Sequence, residues 1–148
     1  MGGHHLHLPV IAAAAPRDEA PAVALWRACG LTRPWNDPHA DFRLALESGS
    51  AAVLVARADG ERLDGAVMAG FDGHRGWIYY LAVAPERRGQ GLGRALMAAA
   101  ETWLRARGAP KLQLMVREDN HAALGFYEAL GLERQRVVTL GRFLGEKP

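Results

Sequence analysis

Cysteine, lysine and long apolar runs are all scarce in this sequence, and each shortage excludes a class of protein. Its 148 residues include one cysteine, Cys29, so no internal disulfide can form, and we predict a reducing compartment, the cytoplasm. The apolar neighbours of Cys29 favour a buried structural thiol over a nucleophile. No apolar run reaches membrane-spanning length, and residues 1–15 lack the basic start of a secretion signal, so we expect no membrane partner.

Net charge is also low, and the positive charge is carried almost wholly by arginine. The formal net charge is +2, and only two of the 18 basic residues are lysines. The arginines are scattered except for one cluster, Arg87, Arg88 and Arg94, which predicts a small phosphate site rather than a nucleic-acid surface. The histidines of the His4–His7 segment have no second ligand cluster at a suitable spacing. We therefore expect neither a metal nor a nucleic-acid partner.

Hydrophobic periodicity predicts one α/β domain spanning residues 1–148, with helices on both faces of a mixed sheet. The predicted element order is β-α-α-β-β-β-α-β-α-β. Strands are predicted at 6–12, 51–58, 63–71, 77–83 and 111–116, with one or two closing strands within 132–144. Helices are predicted at 16–30, from 37 to about 47, from 92 to about 107 and at 120–130.

A glycine-rich segment, residues 88–94, joins the fourth predicted strand to the third predicted helix. Glycines let the backbone approach an anion closely, and the helix N-terminus behind them offers unpaired N–H groups and a partial positive charge. A dinucleotide fingerprint would need glycine or alanine where Arg94 or Leu96 stands, and the Gly-Lys-Ser/Thr of a P-loop is absent. The segment, called the glycine loop below, therefore predicts a phosphate site of another kind.

Two motifs follow each other along the chain. The pattern Arg88-x-x-Gly91-x-Gly93 is followed, one predicted helix and one strand later, by a segment that runs from Asn120 to Tyr127 and is itself followed by Gly131-Leu132. Together with the element order, these motifs resemble the GNAT superfamily, the Gcn5-related N-acetyltransferases, over nearly the whole chain. The first motif is similar to the loop with which that family binds the pyrophosphate of acyl-CoA.

The resemblance implies an enzyme, an acetyltransferase whose acyl donor is acetyl-CoA. The amides of the glycine loop would hold the CoA pyrophosphate. The strand at 77–83 would pair with the pantetheine arm and splay away from the strand at 111–116 to admit it. Asn120 would bond the pantetheine region, and Tyr127 would lie near the thioester sulfur. The residues so implied in cofactor binding are Leu81, Ala82, Val83, Arg88, Gly89, Gln90, Gly91, Leu92, Gly93, Arg94, Asn120 and Tyr127.

The chemistry implied by the resemblance is direct attack of a neutral amine on the thioester in a ternary complex. Backbone N–H groups near Leu81 would stabilise the oxyanion, and Tyr127 would protonate the departing thiolate, because a phenol keeps its proton near pH 7. The alternative for Tyr127 is a ring that packs in the core. Met115 stands where many members carry a glutamate base. We therefore expect proton loss to water, directly or through a tyrosine hydroxyl, with Glu118 and Asp72 as candidate bases.

The acceptor site is expected on the loop between the first two helices and on the hairpin that follows. Segments 33–37 and 72–76 resemble a subgroup of small bacterial members. A tryptophan beside asparagine and aspartate suits a cationic or polar amine. The alternative is a loop held by its own side chains, with Asp37 as a helix cap. The candidate acceptor residues are Trp35, Asn36, Asp37, Asp72, Tyr79 and Tyr80.

Three functions agree with these observations. The first is acetyl transfer to the primary amine of a small molecule or amino-acid derivative. The second is acetylation of a protein N-terminus or lysine, and the third is a non-catalytic acyl-CoA-binding module. Tyr127 argues against the third, whereas the missing glutamate base leaves it open. The closing strands could also pair two copies into a homodimer.

Overall fold

The computed structural model describes residues 9–146, which contain five strands and four α-helices. The predicted strand at 6–12 begins outside the described residues, and the His4–His7 segment lies wholly outside them. The elements are β1 (Ile11–Ala13), α1 (Glu19–Ala28), α2 (Pro38–Glu47), β2 (Ala51–Arg57), β3 (Leu63–Phe71), β4 (Gly76–Val83), α3 (Leu92–Ala106), β5 (Leu112–Leu114) and α4 (His121–Ala129). The chain divides into two compact units, one ending at Leu114 and the other beginning at Met115.

The five strands form one mixed sheet in the order β1-β2-β3-β4-β5. The first three pairings are antiparallel, because short connections return the chain beside the strand it has just left. The pairing of β4 with β5 is parallel, since α3 lies between them in sequence and carries the chain back. The predicted α/β class with a mixed sheet is therefore confirmed.

Helices cover both faces of this sheet. Trp26 of α1 and Phe42 of α2 share one buried cluster with Ala66 of β3. A Cβ added to the preceding residue, Gly65, would instead meet Leu96 of α3. Because successive residues of a strand point to opposite faces, α1 and α3 lie on opposite sides of the sheet, as predicted.

Gly65 lets α3 pack closely on β3, and this contact gives a prediction about stability. A Cβ at Gly65 would lie 2.7 Å from Leu96 Cδ1 and 3.1 Å from the Ala82 carbonyl oxygen. We expect Gly65→Ala to lower the free energy of unfolding by about 1–3 kcal/mol through overpacking, measured by urea denaturation. Gly70 on the same strand is the control, because its added Cβ would find no atom closer than 3.8 Å. Equal stability of the two variants would contradict this account.

A buried ion pair joins the start of α1 to β2. The side chain of Asp18 is 2 % exposed and accepts hydrogen bonds from the Arg57 guanidinium through both oxygens. The Nη2–Oδ2 distance is 2.7 Å, and the Ala15 amide donates to Oδ2, also at 2.7 Å. Burial alone would raise the pKa of Asp18, but these bonds outweigh it and hold the pKa below its ordinary value.

The prediction of closing strands within 132–144 is wrong for the described structure, which contains no strand after β5. Val138 and Leu140 are 85 % and 91 % exposed, so neither face of this segment is covered. β-branched and apolar residues favour an extended chain, but a strand also needs a neighbour with which to share hydrogen bonds. The predicted strand at 111–116 is likewise shorter, at Leu112–Leu114.

Candidate active site

Strand β4 is interrupted by a bulge at the centre of the sheet. Ala66 pairs with Ala82 and Met68 with Tyr79, so one residue of β3 stands opposite two residues of β4. Tyr80, one of those two, has φ +54°, and it is the single non-glycine residue with positive φ in the described chain. A side chain in this left-handed region costs roughly 1–3 kcal/mol, and such strain is found mainly where a site needs it.

Two contacts hold the Tyr80 side chain in place from the helices above it. Its ring stacks on Trp26 of α1, with 4.0 Å between ring centroids and 12° between planes. Its hydroxyl donates a hydrogen bond of 2.7 Å to Asp41 Oδ2 of α2. Burial, together with this bond, raises the pKa of Tyr80 well above its ordinary value, so the phenol stays protonated.

A cavity of about 570 Å³ lies beside the bulge, between α2 and the sheet. Apolar side chains form most of its wall, and its polar groups come from one carboxylate, two phenols, one amide and one hydroxyl. The lining residues are Leu31, Asn36, Asp41, Leu44, Ala45, Ser48, Ala51, Met68, Tyr79 and Tyr80. A few polar groups in an apolar cavity of this size are typical of small-molecule sites.

The cavity brings together half of the acceptor residues predicted from the sequence. Asn36, Tyr79 and Tyr80 line it, whereas the other three predicted residues are not part of its wall. Trp35 is 46 % exposed on the loop between α1 and α2. Asp37 caps α2, its Oδ1 accepting from the His39 and Ala40 amides at 3.1 Å each, which is the alternative role that the sequence allowed.

Asp72, the remaining predicted acceptor residue and a candidate base, organises the β3–β4 turn. Its Oδ1 accepts from the His74 and Arg75 amides, both at 2.7 Å, and its Oδ2 accepts from Trp77 Nε1 at 3.2 Å. The backbone bonds from Arg75 and His74 lower the pKa of Asp72 below its ordinary value. A carboxylate stabilised in this way is a weak proton acceptor, which argues against its role as a base.

Asp41 and Ser48 are the two polar lining residues that the sequence analysis missed, and Asp41 is the charged one. In the sequence, Asp41 is an ordinary acidic residue in the first turn of the amphipathic helix α2, where acidic residues are common. Its relation to Tyr80 depends on contacts between residues 39 positions apart. A faint signal was present, because Asp41 lies only four residues beyond the predicted acceptor residue Asp37.

The edge of β4 that faces β5 is paired over only part of its length. The parallel pairing begins at Gly76 with Leu112 and ends at Ile78 with Leu114. Within the described strands, the remainder of β4, from Tyr79 to Val83, has no partner in β5. This is where the sequence predicted two strands that splay apart, and an extended chain can pair with such an edge.

The glycine loop leads from β4 into α3. Gly89 and Gly91 have φ +79° and +83°, conformations that glycine adopts without the penalty of a side chain. Gly91 is the N-cap of α3 and has no side chain with which to cap it, and the first turn carries no acidic residue. The first amides of α3 therefore have no side-chain cap, and such amides are candidate donors for an anion. Leu92 is buried, so its side chain belongs to the core, and its backbone amide is the group that could serve a ligand.

The three arginines of the predicted cluster have different surroundings. Arg87 Nε donates to Asp64 Oδ1 at 3.2 Å, so Arg87 pairs with a buried carboxylate. Arg88 is exposed, and its Nη2 lies 3.8 Å from Cys29 Sγ. The half-buried Cys29 thiol donates to the Val83 carbonyl at 3.4 Å, and so it links the end of α1 to the end of β4. Arg88 and Arg94, which is also exposed, remain as the candidate phosphate ligands.

The second unit holds the downstream motif. Asn120 caps α4, its Oδ1 accepting from the Ala123 amide at 3.1 Å, so a bond to a ligand carbonyl would come from its amide nitrogen. The Tyr127 ring makes an edge-to-face contact with Phe126, with 5.1 Å between centroids. Burial raises the pKa of Tyr127 to about 12. Met115 is 54 % exposed, and Glu118 lies in an exposed turn.

Two general features of the described chain bear on the kind of protein. No group of three or more His, Cys, Asp or Glu side chains within residues 9–146 stands close enough to hold a metal ion. In the same residues, no helix has both the length and the apolar character needed to cross a membrane.

Comparisons with known proteins give a consistent result. Residues 20–132 match the sequence model of the acetyltransferase (GNAT) family. An acetyltransferase of Pectobacterium atrosepticum is 49 % identical over 124 residues, which is 84 % of this chain and 87 % of the relative. An acetyltransferase of Yersinia pestis is 48 % identical over 122 residues, 82 % of this chain and 86 % of the relative.

Solved structures share the fold at lower identity. The aminoglycoside N-acetyltransferase AAC(6')-Iy, bound to a bisubstrate analogue, superposes with a TM-score of 0.77 at 21 % identity, covering 90 % of this chain and 97 % of that one. An aminoglycoside acetyltransferase from an uncultured soil metagenomic sample gives a TM-score of 0.75 at 19 % identity, covering 92 % and 96 %.

The fold and these matches together define the chain as an acetyltransferase. More particularly, it belongs to the GNAT family, as the motifs at the glycine loop and at Asn120 indicated from the sequence.

Proposed function

We propose that this protein transfers the acetyl group of acetyl-CoA to a primary amine of a small molecule within a ternary complex. The observation that carries the proposal is the cavity of about 570 Å³ beside the β4 bulge, because its volume and wall suit a small polar acceptor. The family match includes residues of both units, which supports our proposal that the chain acts as one acetyltransferase domain.

The donor is expected to bind along β4 and the glycine loop. The loop amides and the exposed Arg88 suit a pyrophosphate, and the unpaired edge from Tyr79 to Val83 suits the pantetheine arm. Relatives of the same fold support this assignment, since AAC(6')-Iy has been solved with CoA and with a CoA-linked bisubstrate analogue.

The reaction follows from the chemistry of a thioester. The nitrogen lone pair of a neutral amine attacks the carbonyl carbon, and backbone N–H groups near the bulge stabilise the resulting oxyanion. The carbon–sulfur bond then breaks, and the thiolate takes a proton from the Tyr127 hydroxyl. The amine gives up its extra proton to water, because the usual glutamate position holds Met115 and the Asp72 carboxylate is bonded within its own turn. Tyr127 then regains a proton from water, which completes the cycle.

A matched pair of glycine variants tests the donor site. Gly91 and Gly108 stand at opposite ends of α3, and both have φ +83°, so alanine introduces the same backbone strain at each. We expect Gly91→Ala to weaken acetyl-CoA binding by about tenfold or more, since roughly 1–2 kcal/mol of strain then falls on the loop itself. Gly108→Ala should bind as the wild type does. Isothermal titration calorimetry measures both, and equal affinities would count against the loop as the donor site.

The experiment that tests the function itself is CoA release from acetyl-CoA across a panel of amines. The panel contains amino acids, diamines and polyamines, aminoglycosides, and peptides with a free N-terminus or lysine. Thiol detection gives the rate, and mass spectrometry gives the acetylated product. Release that depends on a small amine supports the proposal. Release with peptides alone would favour protein acetylation, and binding without turnover on any amine would favour a non-catalytic module.

A further inference from the structure

We propose that the acceptor carries a second positive charge, which Asp41 binds while the other amine reacts. This inference rests on the proposed function and specifies its acceptor class: a diamine, or an amine bearing a second ammonium group. Asp41 is then a specificity-determining residue that acts at the far end of the acceptor, away from the reacting nitrogen.

The charges of the cavity wall support this class of acceptor. Among its described lining residues, Asp41 is the one acid, and none is basic. Much of the remaining wall is apolar, including Leu31, Leu44 and Met68. A carboxylate on such a wall is screened less by water than one at an open surface, so it attracts a cation more strongly.

The Tyr80 hydroxyl orients this carboxylate without saturating it. It donates to Oδ2 of Asp41 at 2.7 Å, whereas an ionised carboxyl group has two oxygens and about four acceptor positions. The stacking of Tyr80 on Trp26 fixes the phenol, and therefore fixes the direction from which the carboxylate is held. Tyr79 on the same wall is a further aromatic side chain, and aromatic rings attract ammonium groups.

The two ends of the Tyr80 side chain relate the two proposed nitrogen positions. Its backbone lies at the β4 bulge, beside which the reacting amine is proposed to lie, and its hydroxyl donates to Asp41. The reacting and anchoring nitrogens are therefore proposed to be several bonds apart, and putrescine is chosen as the probe for this reason.

Single acetylation is a direct consequence. Acetylation converts one ammonium group into a neutral amide, so the product has one charged nitrogen left. A second transfer would place the neutral amide beside Asp41, and the carboxylate would then have no positive charge to bind. We expect the enzyme to stop at the monoacetylated product even with acetyl-CoA in excess, and mass spectrometry of the product detects this.

The test compares kcat/KM for putrescine, for butylamine and for the amino alcohol of putrescine's length. The wild type should prefer putrescine by about tenfold or more over both, corresponding to about 1.4 kcal/mol. In Asp41→Asn the amide oxygen still accepts from Tyr80 but the charge is gone, so KM for putrescine should rise about tenfold with kcat little changed. Glu47→Gln is the control, because Glu47 is an exposed acid on the same helix and outside the cavity wall.

The outcomes separate this inference from the function on which it rests. No turnover with any amine of the panel would overturn the proposed function. If the wild type turned over butylamine or the amino alcohol as well as putrescine, the requirement for a second charge would be overturned, while the proposed function would stand. This comparison uses the wild type only. An unchanged preference in folded Asp41→Asn would also overturn it. The expected pattern is loss of preference in Asp41→Asn and full preference in Glu47→Gln.

Discussion

Replacing Tyr127 with phenylalanine should lower kcat for acetyl transfer by about 100-fold while leaving the affinity for acetyl-CoA nearly unchanged. A positioned general acid contributes roughly 10²–10⁴-fold to a rate, and the departing thiolate needs a proton. Burial raises the pKa of Tyr127 to about 12, so the phenol is protonated throughout the neutral and mildly alkaline range. Steady-state kinetics and calorimetric binding of acetyl-CoA measure the two quantities.

The control for Tyr127 is its aromatic neighbour. Phe126 touches the Tyr127 ring edge-to-face, so Phe126→Leu disturbs the same packing without touching the hydroxyl. If the phenylalanine variant of Tyr127 were slow only because packing changed, Phe126→Leu would be slow too. The pH profile gives a further check, because an alkaline decline of wild-type kcat near pH 9 would mean that the essential acid is a group other than Tyr127.

The largest effect on stability is expected at Asp18. We expect Asp18→Asn to lower the free energy of unfolding by about 3 kcal/mol, at the low end for a broken buried ion pair because Arg57 keeps some access to water. The side chain of Arg57 is 35 % exposed, whereas that of Asp18 is 2 % exposed. Urea denaturation measures the change. Glu86→Gln is the control, because it breaks an exposed ion pair, 3.8 Å long, with Arg62. It should leave the urea midpoint of unfolding unchanged.

The Asp18 pair also predicts how stability depends on pH. The folded pKa of Asp18 is lowered, so its contribution is fully present above the unfolded value of about 4. The contribution is lost as the pH falls through the lower, folded pKa. Wild type and Asp18→Asn should therefore differ most in stability near neutral pH and converge in acid. A difference that stays constant from neutral pH into acid would show that the charge is not its source.

Features fixed by neighbouring residues could be read from the sequence. The cap at Asp37 follows from aspartate directly before Pro38, and the glycine loop follows from alternating glycines before an apolar-periodic helix. The bounds of β3 were predicted to the residue, because polar turns flank a mostly apolar run that is interrupted only by Asp64. Each of these features depends on physical preferences within a few residues of the chain.

Features that depend on distant pairing could not be read in this way. The bulge at Tyr80 arises because Met68 pairs with Tyr79 while Ala66 pairs with Ala82. No local sequence pattern in β4 predicts this shift in register. The contact between Asp41 and Tyr80 likewise exists only because the fold brings together residues that are far apart in sequence. The residues around Val138 show the reverse error, since their composition favours an extended chain but no strand follows β5 within residues 9–146.

The bond between Asp41 and Tyr80, with the stacking of Trp26 on the same ring, joins the stretch from α1 to α2 to strand β4. Trp26 and Asp41 both belong to the stretch from α1 to α2, while the glycine loop lies more than forty residues further on. With the acceptor and donor sites as proposed, a chimaera that receives this helical stretch from a relative should take on the relative's acceptor preference and keep its own donor site. Such grafts should fold and function only between relatives whose residues at 26, 41 and 80 can make the same stacking and hydrogen-bonding contacts. Chimaeras made across the family would then show which acceptor each helical stretch selects.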